Sequence, residues 1–431
     1  MRALQKLAAD TVAATLAGAA LHQTLPAALA GIVAPADRGA LQDWVYGALR
    51  WRGRLDFWLD RLLDKPLTDP ALGELLRIAL YQLAFTRAKP FAVVNEAVAA
   101  AGSGWRRGLA NAVLRNFQRR RSELDAAALQ DEGARWSHPA WWIARLKRAY
   151  PGQWEAILDA SLSHPPFTLR INACRGSVAE YLRELAAAGL AARQTGPDAV
   201  LLERAVAVGR LPGFAEGRVS VQDAGAQYAA RLLDARPGMR VLDACAAPGG
   251  KTGHLLEHLC ARSGQEAGGG SGLDLTALDA DPARLARVSE NLGRIGLTAR
   301  LLAGDAAQPA GWWDGKAYDR ILADVPCSAS GVVRRNPDIK WLRRPEDIAG
   351  FARQQAAILD ALWPLLAPGG TLLYATCSIF QEENHDQVAA FLARHAGHAE
   401  ERSLPEPLTD GSLLPHAEHD GFYYALLAKP L

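Results

Sequence analysis

The sequence predicts a multidomain chain: an all-α N-terminal domain, a small α+β subdomain, and a C-terminal α/β domain built on a parallel sheet. Three observations carry this expectation. The 431 residues exceed what one hydrophobic core ordinarily serves, so two or three domains are expected. Residues 2 to 121 show only helical periodicity, whereas from residue 240 onward short apolar runs alternate with helix-length segments, the rhythm of a parallel sheet. The expected boundaries are 1–125 for the helical domain, 126–163 for a helical linker, 164–215 for the small subdomain and 216–431 for the α/β domain.

The first stretch, MRALQKLAADTVAATLAGAALHQ, imitates a signal peptide. Asp10 interrupts its apolar run, however, and Leu4, Leu7 and Leu21 sit near helical spacing, so an amphipathic helix is expected. Segments 40–63 and 72–85 place apolar residues three and four apart, with turns expected at Pro66, Pro70 and Pro90. No run approaches the roughly 18 apolar residues of a membrane span. Five widely spaced cysteines without a C-x-x-C pair argue against a disulfide framework or a structural zinc, and for a reducing, cytoplasmic setting.

Charge is uneven. Residues 1–121 hold 17 Lys/Arg against 9 Asp/Glu, although the whole chain carries only +2. A basic module of this kind suits a polyanionic partner. Arg50, Arg52 and Arg54 interleave with Trp51, and Trp105-Arg106-Arg107 precede a helix ending Arg119-Arg120-Arg121. Guanidinium groups can pair with phosphates and tryptophans can stack on unpaired bases; the same side chains can equally snorkel from a solvated helix face.

Residues 138–167 read as helical and close at Pro165-Pro166. FTLRIN (167–172), a helical piece near 177–189 and AVLLERAV (199–206) then form a β-α-β rhythm, in which Arg170 and Asn172 either face RNA or lie on a strand surface. A helix is expected over 221–235. Strands follow at 241–244, 275–281, 298–305, 318–326 and 370–378, helices at 282–296 and 346–367, and a closing antiparallel strand at 421–429. The glycine-rich run GQEAGGGSG (264–272) is expected to be an inserted mobile loop.

The chemistry is organised around RVLDACAAPGGKT, residues 240–252. A strand, a glycine turn and a helix start make a nucleotide cradle, because glycine lets the backbone approach a ligand and free N–H groups open the helix. The Walker pattern requires glycine where Cys245 stands, and no G-x-G-x-x-G is present, so neither phosphate nor pyrophosphate has a seat. A nucleoside without phosphates remains, and S-adenosylmethionine is the common one. Asp279, Asp305 and Asp324 end successive strands, where carboxylates are placed for the ribose hydroxyls, the adenine amino group and the methionine end.

Cys327 in ADVPCSASG and Cys377 in YATCS sit past the two following strands. A lone cysteine is usually a small buried hydrophobe, but two on one sheet edge beside a nucleoside crevice suggest chemistry. Carbon 5 of cytosine is a poor nucleophile until a thiolate adds at C6 and converts the ring to an enamine. Lys251, Lys340 or the sulfonium of the cofactor could lower the thiol pKa.

DACAAPGGKT, ALDADPARLARVSENLGRIG, DRILADVPCSASGVVRRNPDIKW and LLYATCSIFQEEN together resemble the RNA cytosine-5 methyltransferase family with two motif cysteines. That resemblance implies a Rossmann-like class I methyltransferase domain with S-adenosyl-L-methionine as cofactor. It implies Cys377 as nucleophile and Cys327 as the residue assisting release, with RNA rather than DNA as substrate. It also implies cofactor contacts from Cys245, Ala246, Ala247, Pro248, Gly249, Gly250, Lys251, Asp279, Asp305 and Asp324. VNEAVAAA (94–101) and LANAVLRNF (109–117) are similar to NusB-type RNA-binding domains, which precede the catalytic part in the bacterial branch acting on 16S ribosomal RNA. A monomer without membrane or obligate protein partner is expected. Two alternatives stay open: the same chemistry on transfer RNA, and an RNA-binding regulator with an inactive methyltransferase domain. HLLEH at 254–258 satisfies the inverted zinc-peptidase motif H-x-x-E-H; with no third ligand evident, its histidines are expected to be ordinary helix-surface residues, and no metal is expected.

Overall fold

Proline opens three helices of the N-terminal region. Pro35, Pro70 and Pro90 occupy the first turns of helices Pro35–Arg50, Pro70–Phe85 and Pro90–Ala100, where a fixed φ is pre-organised and the missing N–H is no loss. Asp69 caps the second of these by accepting from Leu72 N at 3.1 Å. The helically spaced segment 40–63 divides at Trp51 (φ −99°, ψ 15°) between helices Pro35–Arg50 and Arg52–Leu62. The long helix Trp105–Ala128 runs past the basic cluster, and a short one, Glu132–Trp136, follows.

The computed structural model describes residues 1–263 and 274–431; the glycine-rich run 264–272 lies outside the described residues. The chain divides into two units. The first comprises Met1–His164 together with Val333–Pro345. Its helices bury Leu41, Trp58, Leu76, Val93, Leu114 and Phe117 in one core. Three long-range hydrogen bonds tie the returning segment to this unit: Arg50 Nη2 donates to Arg334 O (2.9 Å), Lys340 Nζ to Arg50 O (2.8 Å) and Trp341 Nε1 to Leu49 O (2.7 Å).

These contacts revise the reading of the basic cluster. Arg50 is buried; Arg52 pairs with Asp56 and Glu74; Arg54 donates to Ala134 O; and Trp51 stacks on Phe85 with centroids 4.6 Å apart. Arg106 pairs with Asp69, Arg120 with Glu123 and Arg121 with Asp125. Much of the cationic run therefore serves the domain itself. Trp105 remains 60% exposed.

The second unit comprises Pro165–Val332 and Glu346–Leu431. Its smaller sheet contains β1 (Phe167–Ile171), β2 (Ala192–Gln194), β3 (Ala199–Leu202) and β4 (Val219–Val221), antiparallel in the order β2-β3-β1-β4. Helix Val178–Ala187 begins with a complete capping box, Ser177 with Glu180, and packs Tyr181 and Leu185 against Leu169 and Val200. The helix expected over 221–235 shortens to Tyr228–Leu233 after a 3₁₀ turn at Gly225–Gln227.

The larger sheet holds β5 (Arg240–Ala244), β6 (Asp274–Asp279), β7 (Arg300–Ala303), β8 (Tyr318–Asp324), β9 (Leu366–Thr376), β10 (Glu400–Arg402), β11 (Ser412–Leu413) and β12 (Phe422–Ala428). The order is β10-β12-β9-β8-β5-β6-β7, with β11 beside β12. Strands β9 through β7 are parallel and β12 runs antiparallel to β9, as the closing stretch led one to expect. The apolar runs Val241-Leu242 of β5 and Ile321-Leu322-Ala323 of β8 are buried between the cores on the two faces of the sheet. Cys174 and Cys260 form a disulfide, contrary to the expectation from their spacing. The tertiary fold brings together two cysteines 86 residues apart, which no local pattern announces. Among the described residues no helix is long and apolar enough to cross a membrane.

Candidate active site

Strand order decides what the sheet edge presents. Since β9, β8, β5, β6 and β7 are adjacent and parallel, their carboxyl ends set Cys377, Asp324, Cys245, Asp279 and Asp305 along one edge in that sequence. Ligands bind such sheets outside the carboxyl ends of the strands.

The turn after β5 is held by its own backbone and by β6. Cys245 adopts φ 64°, Ala246 N donates to Leu278 O (2.8 Å), and Gly249 N donates to Ala246 O (2.8 Å). Ala247 N donates to Asp279 Oδ2 (3.0 Å). Gly249 has φ +94°, and a Cβ there would stand 3.1 Å from Val288, so glycine is needed on both counts. Pro248 lies in this turn, and helix Gly250–Ser263 starts immediately behind it. Thr252 Oγ1 donates to Asp243 Oδ2 (2.6 Å), while Asp243 Oδ1 is buried without a hydrogen-bond partner. Burial pushes the Asp243 carboxyl up to about 7 against the opposing Thr252 hydrogen bond. An unpartnered buried acceptor beside a glycine turn fits a ligand that brings donors.

The three acidic residues differ. Asp279 is 3% exposed and its carboxylate also accepts from Asp281 N (3.1 Å); each oxygen retains a second lone pair. Asp305 is exposed, two residues beyond β7, and its carboxylate accepts from Ala307 N (2.9 Å) and Gln308 Nε2 (3.1 Å). Asp324 accepts from Lys251 Nζ at 2.7 Å. Burial alone would lower the Lys251 pKa, but the charge and hydrogen bond of Asp324, followed by the Cys377 thiolate, outweigh it and raise it. Lys251 is thus the lysine at the cysteines, whereas Lys340 is buried in the helical unit.

Cys327 and Cys377 face each other with Sγ to Sγ at 3.4 Å. Their turns are laced together: Gly331 N donates to Cys377 O (2.8 Å), Val325 N to Ala375 O (3.1 Å), and Ile379 N to Ser330 Oγ (2.9 Å). Sequence reasoning did not single out Glu383, whose buried carboxylate accepts from Ser328 and Ser378, the residues following the two cysteines. A glutamate in a polar QEEN run carries no periodic signal of burial.

Two other expectations are corrected. Arg170 and Asn172 do not lie on an exposed strand face. Asn172 Nδ2 donates to Gly217 O, and the Arg170 guanidinium forms a bidentate pair with Glu257 (2.8 and 2.7 Å) while donating to Gln222 Oε1 and Gly250 O (both 2.7 Å). The HLLEH histidines are not helix-surface residues either. His254 is buried, and Asp198 supplies a third potential ligand, its Oδ2 lying 3.4 Å from His254 Nε2 and 3.0 Å from His258 Nε2. Arg231 already donates to that same oxygen at 2.8 Å. Glu257 is consumed by Arg170, so the peptidase motif lacks its base.

Comparisons with known proteins agree with this geometry. A family described as "16S rRNA methyltransferase RsmB/F" matches residues 230–428, a "Methyltr_RsmF/B-like, ferredoxin-like domain" matches 138–209, and the NusB family matches 1–119. The chain is 47% identical to a Pseudomonas putida protein named ribosomal RNA small subunit methyltransferase B, covering 98% of this chain and 97% of that one. It is 46% identical to the protein of that name from Vibrio cholerae, covering 96% and 94%. The crystal structure of PH0851 shares the fold, with a TM-score of 0.77, 24% identity and 99% of each chain covered. Likeness at this identity, sustained along nearly the whole chain, shows that the chain belongs to the RsmB/F family of S-adenosylmethionine-dependent 16S rRNA methyltransferases.

Proposed function

We propose that this enzyme methylates C5 of a cytosine in 16S ribosomal RNA through a covalent adduct between Cys377 and C6, resolved with the help of Cys327. The observation that carries the reading is the 3.4 Å approach of the two sulfurs at adjacent strand ends, beside the Lys251–Asp324 pair. S-adenosylmethionine, held by residues 245–251 with Asp279 and Asp305, supplies an electrophilic methyl group at this edge. Lys251 places a positive charge beside Cys377. The thiolate adds to C6, forming the S–C6 bond and moving electron density to C5. Once C5 carries the methyl group, its proton passes to water and the S–C6 electron pair returns to the Cys377 sulfur, restoring the aromatic ring. Asp324 lies at the end of β8, where it can accept a hydrogen bond from the cytosine amino group. The hydrogen bond with Cys377, burial and neighbouring negative charge hold Cys327 well above the ordinary thiol range. It therefore sits as a protonated thiol against the nucleophile, suited to proton traffic during release.

Unstacking the target base is a requirement of any such reaction, and the basic N-terminal domain is the part of the chain suited to hold the RNA. Incubating Cys327→Ala with 16S rRNA and cofactor should accumulate a protein–RNA adduct stable to denaturing electrophoresis. Cys377→Ala should form none and transfer no methyl group. An adduct from Cys377→Ala would reverse the two roles. Absence of both adduct and methyl transfer in the wild type would favour a regulatory RNA-binding role instead.

A further inference from the structure

We propose that Glu383 is a positioning residue: its one buried carboxylate clamps the turn after Cys327 to the turn after Cys377, and so sets the spacing and the order of reactivity of the two sulfurs. The inference rests on the cysteine roles proposed above and extends them to a residue that touches neither substrate nor cofactor.

Glu383 is fully buried in the 3₁₀ turn Gln381–Glu383. Its Oε1 accepts from Ser328 N (2.7 Å) and Gln355 Nε2 (3.1 Å); its Oε2 accepts from Ser328 Oγ and Ser378 Oγ (both 2.5 Å). Four donors converge on two oxygens, so each oxygen is doubly engaged. The clamp reaches both sides of each cysteine. On the Cys327 side, Glu383 holds Ser328 directly, and Gln355 Nε2 bridges from Glu383 to Pro326 O (3.0 Å). On the Cys377 side, it holds Ser378 directly, and the next residue, Asn384, accepts from Thr376 Oγ1 (2.7 Å) and donates to Ser378 O (2.9 Å). Tyr374 Oη anchors the brace itself by donating to Glu383 O (2.6 Å).

The carboxylate also acts at a distance. After the Cys377 hydrogen bond, burial and the Cys377 charge, Glu383 is the next influence holding Cys327 in its protonated form. Two chemically identical side chains 3.4 Å apart are thereby made unequal, because Cys327 is the one held as the thiol. A nucleophile and a proton-carrying partner need that inequality.

The test compares Glu383→Gln and Glu383→Asp with wild type in the full chain. Glutamine preserves shape and one acceptor oxygen, and the two serine hydroxyls can rotate to accept from its amide; aspartate preserves charge but shortens the reach. Two readouts are taken. The first is the rate of covalent capture by a 16S rRNA transcript containing 5-fluorocytidine, whose C5 fluorine blocks release. The second, without RNA, is the pH midpoint of iodoacetamide alkylation at Cys327 and Cys377, resolved by peptide mass spectrometry.

Glu383→Gln is expected to slow capture by about 10²-fold, the loss typical of small misplacement of reacting groups, and to move the Cys327 alkylation midpoint to lower pH, with cofactor affinity unchanged. Glu383→Asp should restore the midpoint but not the capture rate. The proposal is overturned if the Cys327 midpoint stays at its wild-type value in Glu383→Gln, which would mark a merely structural brace, or if capture proceeds at the wild-type rate. Failure of wild type itself to be captured would sink the covalent reading instead, while the alkylation arm still decides the role of Glu383.

Discussion

The buried Arg170–Glu257 pair should be among the most sensitive points in the catalytic unit. Both side chains are essentially inaccessible, 0% and 1% exposed, and the pair is bidentate. It joins β1 of the small sheet to the helix that starts at Gly250, and Arg170 additionally binds the carbonyl of Gly250. Glu257→Gln leaves a buried guanidinium without its counter-charge, a change that costs about 3–5 kcal/mol in comparable sites. In a domain of this size each kcal/mol lowers Tm by about 2–4 °C, so a fall of roughly 6–20 °C is expected by calorimetry. Arg170→Met should cost a similar amount and, by freeing the Gly250 carbonyl, weaken cofactor binding as well. The double variant Arg170→Met/Glu257→Leu should recover most of the loss, because a well-packed apolar pair avoids desolvating two charges. Recovery should be incomplete, since Gln222 and Gly250 each lose a donor. The exposed Arg120–Glu123 pair is the control, and its removal should leave Tm unchanged. Single variants costing less than about 1 kcal/mol, or a double variant as damaging as the two singles combined, would refute the reasoning.

Asp243 predicts a pH dependence. Its folded pKa is raised to about 7 by burial, so the folded state keeps a proton that the unfolded chain releases near the ordinary carboxyl value. The associated stability is complete below that value and is lost as pH rises through about 7, by at most on the order of 4 kcal/mol. Asp243→Asn should remove that slope in urea unfolding between these limits, and parallel curves for the two proteins would contradict the assignment. Gly331→Ala tests the cysteine turns: a Cβ would meet Gly421 O at 2.2 Å and Cys377 O at 2.9 Å, both backbone atoms with little freedom to move. Methyl transfer should fall by about 10²-fold with cofactor affinity unchanged, and near wild-type turnover would show that the turn tolerates displacement.

Local signals read correctly where one segment suffices to express them. The alternating strands and helices after residue 240, the glycine turn at 249–250 and the acidic strand ends are each properties of a few consecutive residues. Pro70 and Pro90, expected as turns, instead open helices, a choice that the prolines alone leave undecided. The arginines were harder. Composition reports their number but not their partners, and Arg50 and Arg170, both candidates for nucleic acid, are buried in structural contacts. The QEEN run offered no sign that Glu383 would be wholly enclosed, because its four donors come from residues 5 to 55 positions away.

The sequence by itself determined the fold class, the glycine turn with its acidic strand ends and the pair of cysteines, since strand ends and glycine turns are written in short contiguous patterns. Only the tertiary structure decided the neighbour order β9-β8-β5-β6-β7, the 3.4 Å approach of Cys327 to Cys377, the Cys174–Cys260 disulfide and the assignment of 333–345 to the helical unit. Each of these joins residues far apart in the chain. Burial rewards such contacts only when the whole sheet and its loops have closed around them.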